Sequence, residues 1–391
     1  MSTALENFAP GSSASIETSR AGADTGGRST RSPEARSALL VGSFPAPGAF
    51  APCEGLARAL KEAGWGVVTA SRKAGRIPRL FDMMRTAWSR RANYAVAQVD
   101  VFSGQAFFWA EAVCRLLAQL GKPYVLTLHG GNLPRFGRTA AGRVGRLLAS
   151  AAAVTTPSRY LKDEMKRFRS DIVLVPNALA LEAFPFRQRS APKARLVWVR
   201  AFHETYNPSL APRILALLAP DFPEATLTML GRDKGDGSLE ETKRVARELG
   251  VLQRLKLPGA VPNVDVAKFL DAGDVFLNTT DIDNTPVSVL EAMACGLLVV
   301  STDVGGIPYL LTDGADALLS PARDADAMAA AVRRVLTEQE LAPRLSKAAR
   351  ESVMELDWSN VLPQWEEILL RAGLSASVSA PARAARTALP T

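Results

Sequence analysis

Two acidic side chains eight residues apart, Asp283 and Glu291, stand in the run DNTPVSVLEAMACGLLVVS from Asp283 to Ser301. Between them, Thr285 is of a type that caps helices and Pro286 suits a first helical position, where its missing N–H costs nothing. Val287, Val289, Leu290, Ala292 and Met293 supply apolar bulk, so the spacing predicts a helix packed into a core. Gly296 is its expected stop, ahead of a strand over Leu297–Ser301. The spare N–H groups of Val287 and Ser288 at such a helix start suit an anion. Glu291, one turn in, is placed to accept hydrogen bonds from the vicinal hydroxyls of a ribose. An anion seat beside a diol acceptor implies a nucleotide diphosphate. Acids near a helix start can simply complement its dipole, at about 0.3–1 kcal/mol. Glu291, however, lies past the first turn among apolar neighbours, where a lone carboxylate is costly without a partner.

Arg200 follows the apolar run Leu196–Val199 at the carboxyl end of a predicted first strand, where open α/β sheets bind ligands. A charge-assisted hydrogen bond there, strengthened as a diphosphate departs, would lower a barrier rather than only tighten binding. His129 closes the predicted strand Tyr124–Leu128 ahead of Gly130–Gly131, a place also open to an ordinary satisfied histidine. Asp281-Ile282-Asp283 spells D-x-D, a pattern that can hold a divalent cation against a diphosphate; Asp324–Asp326 repeats it, and such short matches are common by chance. With two histidines and three scattered cysteines (Cys53, Cys114, Cys295), a zinc site is not expected, and the thiols are read as buried in a reducing cytoplasm.

The elements that must position these groups alternate. Predicted strands Ala38–Ser43, Gly66–Ala70, Tyr94–Phe102, Tyr124–His129, Ala153–Thr156 and Ile172–Val175 are separated by helical stretches, among them Gln105–Leu120 and Ala141–Ala151. Residues 176–193, with three prolines, resemble a linker. A second alternation follows, with strands Ala194–Val199, Thr226–Leu230, Leu255–Leu257, Val275–Thr279, Leu298–Ser301 and Ala317–Leu319. Ser238 with Glu241 forms a capping-box pattern, and Asn263 and Asp324 are expected caps. This rhythm predicts an α/β fold of two doubly wound, Rossmann-like domains facing across a cleft. The expected boundaries are a disordered tail over 1–36, domains over 37–186 and 187–356, a final helix over 357–373 crossing back to the first domain, and a disordered tail over 374–391. Neither half carries G-x-G-x-x-G after its first strand, which argues against a dinucleotide-dependent oxidoreductase.

The run from Asp283 to Gly306, ending VVSTDVGG, resembles the nucleotide-sugar signature of the GT-B glycosyltransferases of family 4. There, two glutamates separated by seven residues precede an Ala-Met-Ala-x-Gly stretch. The wider order is similar too, with Pro176–Asn177 after the last strand of the first domain, and the likeness covers about Ala38 to Arg371. The resemblance implies retaining, metal-independent transfer from a nucleotide-diphosphate sugar, with no cofactor. It places Glu291 on the donor ribose, Asp283 beside the donor sugar and the amides near Thr285, Val287 and Ser288 on the diphosphate. It puts His129 near the transferred sugar, and Gly48, with Pro47, Ala49 and Phe50, near the donor phosphate; His203 matches less well. The sequence departs from the family at three points: the first acid is Asp, Leu298 stands where proline is usual, and the lysine expected after Arg200 is missing from AFHETYNP. Lys234, in the loop GRDKGDG, is the candidate to supply that charge.

From Ser37 to Phe186 the chain has 20 Lys and Arg against 9 Asp and Glu, whereas from Arg187 onward it has 23 against 26. The basic first half implies an anionic partner, and a glycan or lipid-linked acceptor fits there. Ser71–Arg91 interleaves seven cations with Leu80, Phe81, Met83, Met84 and Trp88. That pattern suits either an interfacial helix on an anionic membrane or a helix packed on its own domain. No recognition motif accompanies the charge, so nucleic acid is not expected. The chain is expected in the cytoplasm, at the inner membrane face if the helix docks. The alternative is a GT-B protein that binds a nucleotide sugar or glycan without catalysis.

Overall fold

The computed structural model describes residues 35–42, 44, 52–73 and 75–379, with the side chains of residues 52 and 375–379 set aside. Most of the two expected tails, and Gly48 with its neighbours, lie outside them. The first sheet contains β1 (Ser37–Val41), β2 (Gly66–Ala70), β3 (Val96–Val101), β4 (Tyr124–Leu128), β5 (Ala153–Thr156) and β6 (Val173–Leu174). They are all parallel, in the order β2-β1-β3-β4-β5-β6. The second contains β7 (Arg195–Val199), β8 (Thr226–Leu230), β9 (Leu255–Gly259), β10 (Val275–Asn278), β11 (Leu298–Thr302) and β12 (Leu318–Ser320). These too are parallel, in the order β12-β11-β10-β7-β8-β9.

Parallel strands need crossovers, and helices supply them. In the first half these are α1 (Pro52–Glu62), α2 (Arg76–Ser89), α3 (Gln105–Gln119), α4 (Leu133–Thr139), α5 (Ala141–Ala149) and α6 (Arg159–Met165). In the second they are α7 (Leu210–Leu218), α8 (Ser238–Glu248), α9 (Asn263–Ala272) and α10 (Val287–Ala294), while α11 (Ala325–Thr337), α12 (Leu341–Met354) and α13 (Trp358–Ser379) follow the last strand. Helices on both faces explain why the strands are apolar runs rather than alternating ones. In β1, Leu39 and Val41 join one core with Phe107 and Leu117 of α3, while Ala38 and Leu40 join another with Leu56 and Leu60 of α1. In β7, Leu196 and Trp198 pack with α7 and α11, and Val197 packs with α9 and α10. Leu298, where the family usually has proline, opens β11 fully buried in the first of these two cores.

The last helix belongs physically to the first sheet: Val361, Trp365, Leu369 and Ala372 of α13 are buried with Ala38, Leu40 and Val125. It runs on to Ser379, past the point where a disordered tail was expected. Residues 176–193 are not a loose linker either. Leu179, Leu181 and Phe184 are buried, and the Leu179 N–H donates to the Leu356 carbonyl while the Trp358 N–H donates to the Leu179 carbonyl. The two crossings therefore run side by side. Arg189 is fully buried and donates to the carbonyls of Leu270, Asp271 and Gly273 at the end of α9. No helix among the described residues is long and apolar enough to cross a membrane.

Candidate active site

In the second sheet the direction of growth reverses between β7 and β10, and ligands of open α/β sheets bind outside the carboxyl ends of strands at such a point. Arg200 emerges there from β7, and the loop from Thr279 to Pro286 emerges beside it from β10. Arg200 Nη2 donates to Asp283 Oδ2, and its guanidinium lies 4.5 Å from the centre of the Tyr206 ring. Burial works against the Arg200 charge, but Asp283, Tyr206 and Glu291 outweigh it and hold the pKa above the ordinary arginine value. Tyr206 has no place in the family pattern quoted above. It stands over Arg200 because its short turn is tied to β10: Thr279 Oγ1 donates to the Tyr206 carbonyl at 2.8 Å, and the Asp281 N–H donates to the Thr205 carbonyl at 2.9 Å.

Asp283 thus faces Arg200 as a counter-ion. Its own loop is clamped by Gly305 and Gly306, where a Cβ would fall 2.2 Å from the Asp283 carbonyl oxygen and 2.1 Å from that of Asn284. The Gly306 N–H donates to that Asp283 carbonyl at 3.0 Å. Asp281, the other acid of the D-x-D pattern, pairs with Arg323 at 2.7 Å, so each of the two carboxylates has its own arginine.

Helix α10 begins one residue later than the sequence suggested. Pro286, with ψ 115°, occupies the cap position, and no side chain caps the helix. The reason is local: a residue before proline is forced toward extended backbone, so Thr285 stays outside the helix. Its carbonyl is held instead by Asn177 Nδ2 at 3.2 Å, which gives the Pro176–Asn177 pair a positioning role. The N–H groups of Val289 and Leu290 turn back to the Pro286 carbonyl; those of Val287 and Ser288, at the first turn, have no helical acceptor. One turn on, burial pushes the Glu291 carboxyl up to about 8 against the pull of Arg200. Six buried side-chain polar atoms among the described residues have no hydrogen-bond partner, and three of them are here: Arg200 Nε, Asn284 Oδ1 and Ser288 Oγ. Orphaned buried polar groups are costly in a folded chain, and half of those among the described residues gather beside Arg200 and the start of α10.

The opposite wall comes from the first sheet. Gly131 reaches the Asp283 loop so closely that a Cβ there would sit 3.0 Å from the Asp283 carbonyl oxygen. His129, two residues earlier at the end of β4, is buried, stacks on Phe102 with ring centres 5.1 Å apart and bonds Asp100 Oδ1 through Nε2 at 3.0 Å. Asp100 also accepts from Gln98 Nε2 at 2.8 Å, and Gln98 Nε2 in turn reaches Thr127 Oγ1. Neither Asp100 nor Phe102 was singled out from sequence, since nothing local ties β3 to β4.

The other expected residues are dispersed. Lys234 forms no ion pair with Asp283 or Glu291; burial, then Arg232 and then Arg79 of α2, lower its pKa. It lies among cations in the loop after β8, and that loop is tied to the Arg200 segment by the Lys234 N–H donating to the Phe202 carbonyl at 3.1 Å. His203 is structural: its Nδ1 accepts the Thr205 N–H at 3.2 Å. Gly48 lies outside the described residues. The capping box at Ser238 is absent, because Asp236 takes the Ser238 N–H and Glu241 pairs with Arg244. Pro262 rather than Asn263 stands at the cap of α9, while Asp324 does cap α11 through the Ala327 N–H.

Comparison with known proteins bears on the family and the fold. Residues 180–352 match the model for glycosyl transferases group 1 and residues 50–183 that for glycosyltransferase family 4. A teichuronic acid biosynthesis glycosyltransferase of Bacillus subtilis is 29% identical over 260 residues, 62% of this chain and 62% of that protein, so the match spans less than two thirds of its length. Among solved structures, sucrose-phosphate synthase from Thermosynechococcus elongatus superposes with a TM-score of 0.73 at 18% identity, over 87% of this chain and all of the other. Anabaena HepE in complex with UDP and glucose superposes with a TM-score of 0.70 at 15% identity, over 85% and 99%. With the two models together covering residues 50–352 and the fold shared with these proteins, the chain belongs to the GT-B glycosyltransferases of family 4, group 1.

Proposed function

We propose that this chain transfers a sugar from a nucleoside diphosphate donor, a UDP- or GDP-sugar, to a glycan or lipid-linked acceptor held against the first sheet, with retention at the anomeric carbon. The observation that carries the reading is the cluster of unpartnered polar atoms (Arg200 Nε, Asn284 Oδ1 and Ser288 Oγ) beside the open first turn of α10. The diphosphate sits against the Val287 and Ser288 amides with Thr285 just ahead of them, and the ribose diol meets Glu291. Arg200 takes the charge that grows on the leaving diphosphate as the bond from the anomeric carbon to its phosphate oxygen breaks and the oxygen keeps the electron pair. The acceptor hydroxyl attacks on the same face and passes its proton to that departing oxygen. His129, anchored by Asp100, lies beside the transferred sugar. Arg200, Lys234 and the helix start supply the positive charge, so a metal has no part in this scheme; the pairing of Asp281 with Arg323 supports that.

Thermal-shift screening with UDP, GDP and ADP, followed by a panel of their sugars, tests the proposal. One diphosphate should stabilise the chain, and its sugar should be turned over. Saturable binding without hydrolysis or transfer would favour a non-catalytic binder, and no shift with any diphosphate would overturn the site.

A further inference from the structure

Helix α2 carries a surface that the donor site does not use. It hides Met83 and Ala87 against its own domain, yet leaves Ile77 83%, Phe81 68% and Trp88 55% exposed. At 3.6 residues per turn these three side chains fall within roughly 40° of one another, on a face turned away from the buried pair. A helix that spends one apolar stripe on its own core does not need a second in water.

Charge surrounds the stripe. Arg72, Lys73, Arg76, Arg79, Arg85, Arg90 and Arg91 face a single acid in the same stretch, Asp82, which already accepts the Ser71 hydroxyl at 2.5 Å. None of the seven is in an ion pair among the described residues. Arg91 lies over the Trp88 ring at 4.8 Å, placing a cation on the aromatic end of the stripe, and Arg79 lies over Trp109 of α3 at 5.8 Å. The occupant of this face must therefore be apolar where Ile77, Phe81 and Trp88 enter and anionic around them. A second copy of the chain meets the first condition and fails the second, because this half carries 20 basic residues against 9 acidic ones.

We propose that α2 docks the chain on an anionic lipid bilayer, with Ile77, Phe81 and Trp88 seated at the level of the headgroups and Arg85 and Arg91 on lipid phosphates. Docking deepens the reading above, on which its link to a lipid-linked acceptor rests, since α2 belongs to the half that would hold that acceptor.

The test is sedimentation of the full chain with phosphatidylcholine vesicles, with and without phosphatidylglycerol. The chain should pellet with the anionic vesicles only and be released by high salt. Phe81→Ser with Trp88→Ser should abolish pelleting; Arg85→Glu with Arg91→Glu should weaken it by about fivefold for each basic residue lost. All four positions are exposed, so the melting temperature should not move, and the nucleotide diphosphate shift should persist in every variant. That persistence separates a failure of docking from a failure of the donor site. Absence of pelleting, equal pelleting with neutral vesicles, wild-type binding by the Ser double variant, or dimerisation that the Ser double variant abolishes would overturn the proposal.

Discussion

The two walls of the crevice are built on opposite plans. On the first-sheet wall, most polar groups satisfy one another: His129 and Gln98 Nε2 both bond Asp100, Gln98 Nε2 reaches Thr127, and Thr155 Oγ1 donates to Thr127, with Gln98 Oε1 the one orphan among these groups. On the second-sheet wall, Arg200 Nε, Asn284 Oδ1 and Ser288 Oγ are unpartnered, and Glu291 is held in its uncharged range at neutral pH. A largely closed network fixes shape, whereas a concentration of unspent donors and acceptors leaves binding capacity for a ligand. The contrast is the one that the proposed function requires: a charged, multiply hydrogen-bonded guest needs unspent partners on the second wall, and a better satisfied first wall to hold its shape.

Removing the main cation of the second wall should be the most damaging change. Arg200→Ala is expected to cut donor turnover by about a hundred- to a thousand-fold, the scale for loss of one preorganised transition-state donor. Steady-state kinetics with the donor found by thermal shift would show it; a loss confined to KM would mean that Arg200 only binds. The change also strands Asp283, so the melting temperature of the unliganded chain should fall.

Glu291 gives a pH signature. Its folded pKa, about 8, lies above the ordinary 4.5, so between those values the native chain holds a proton that the unfolded chain has released. Stability should therefore fall as pH rises through that window, and Glu291→Gln should flatten the decline. Diol hydroxyls donate to the ionised carboxylate, so nucleotide affinity should rise toward pH 8 and level off. Glu291→Gln should lower affinity by about tenfold at pH 8, the value of one charged hydrogen bond. Calorimetry at several pH values that found a flat profile would remove Glu291 from the ribose. The first wall should respond differently: His129→Ala should cost about tenfold in turnover, one hydrogen bond's worth, with diphosphate affinity unchanged.

How far these walls could be read from sequence follows from how local each feature is. Helix α10 was legible because its apolar spacing and its flanking Pro286 and Gly296 lie within one short run; only its first residue was misplaced, since proline acts backward on Thr285. The strands were legible because burial on both faces makes them continuous apolar runs. Tyr206 was not, although it follows Arg200 by six positions, because only the bonds from Thr279 and Asp281 turn it onto the guanidinium. Asp100 was not, because its partner His129 is 29 residues away and meets it only through strand pairing. The engagement of Asp283 with Arg200 was hidden for the same reason, being a contact across 83 residues.

Tyr206→Leu should weaken diphosphate binding by about fivefold, the middle of the range for a cation–π contact, and Tyr206→Phe should restore most of it. Lys234→Ala should have a smaller effect, and its direction is informative. Burial and the nearby Arg232 and Arg79 lower the Lys234 pKa, so between the folded value and the ordinary one the unfolded chain binds the extra proton. The penalty is complete below both values and is relieved as pH rises through that window. Removing the amine at pH 7 should then raise the melting temperature slightly. If Lys234 also supplies the charge missing after Arg200, the same variant must bind diphosphate more weakly, by about two- to fivefold, the range for an exposed charge pair. A gain in stability with unchanged diphosphate affinity would leave Arg200 and the start of α10 as the whole of the positive seat.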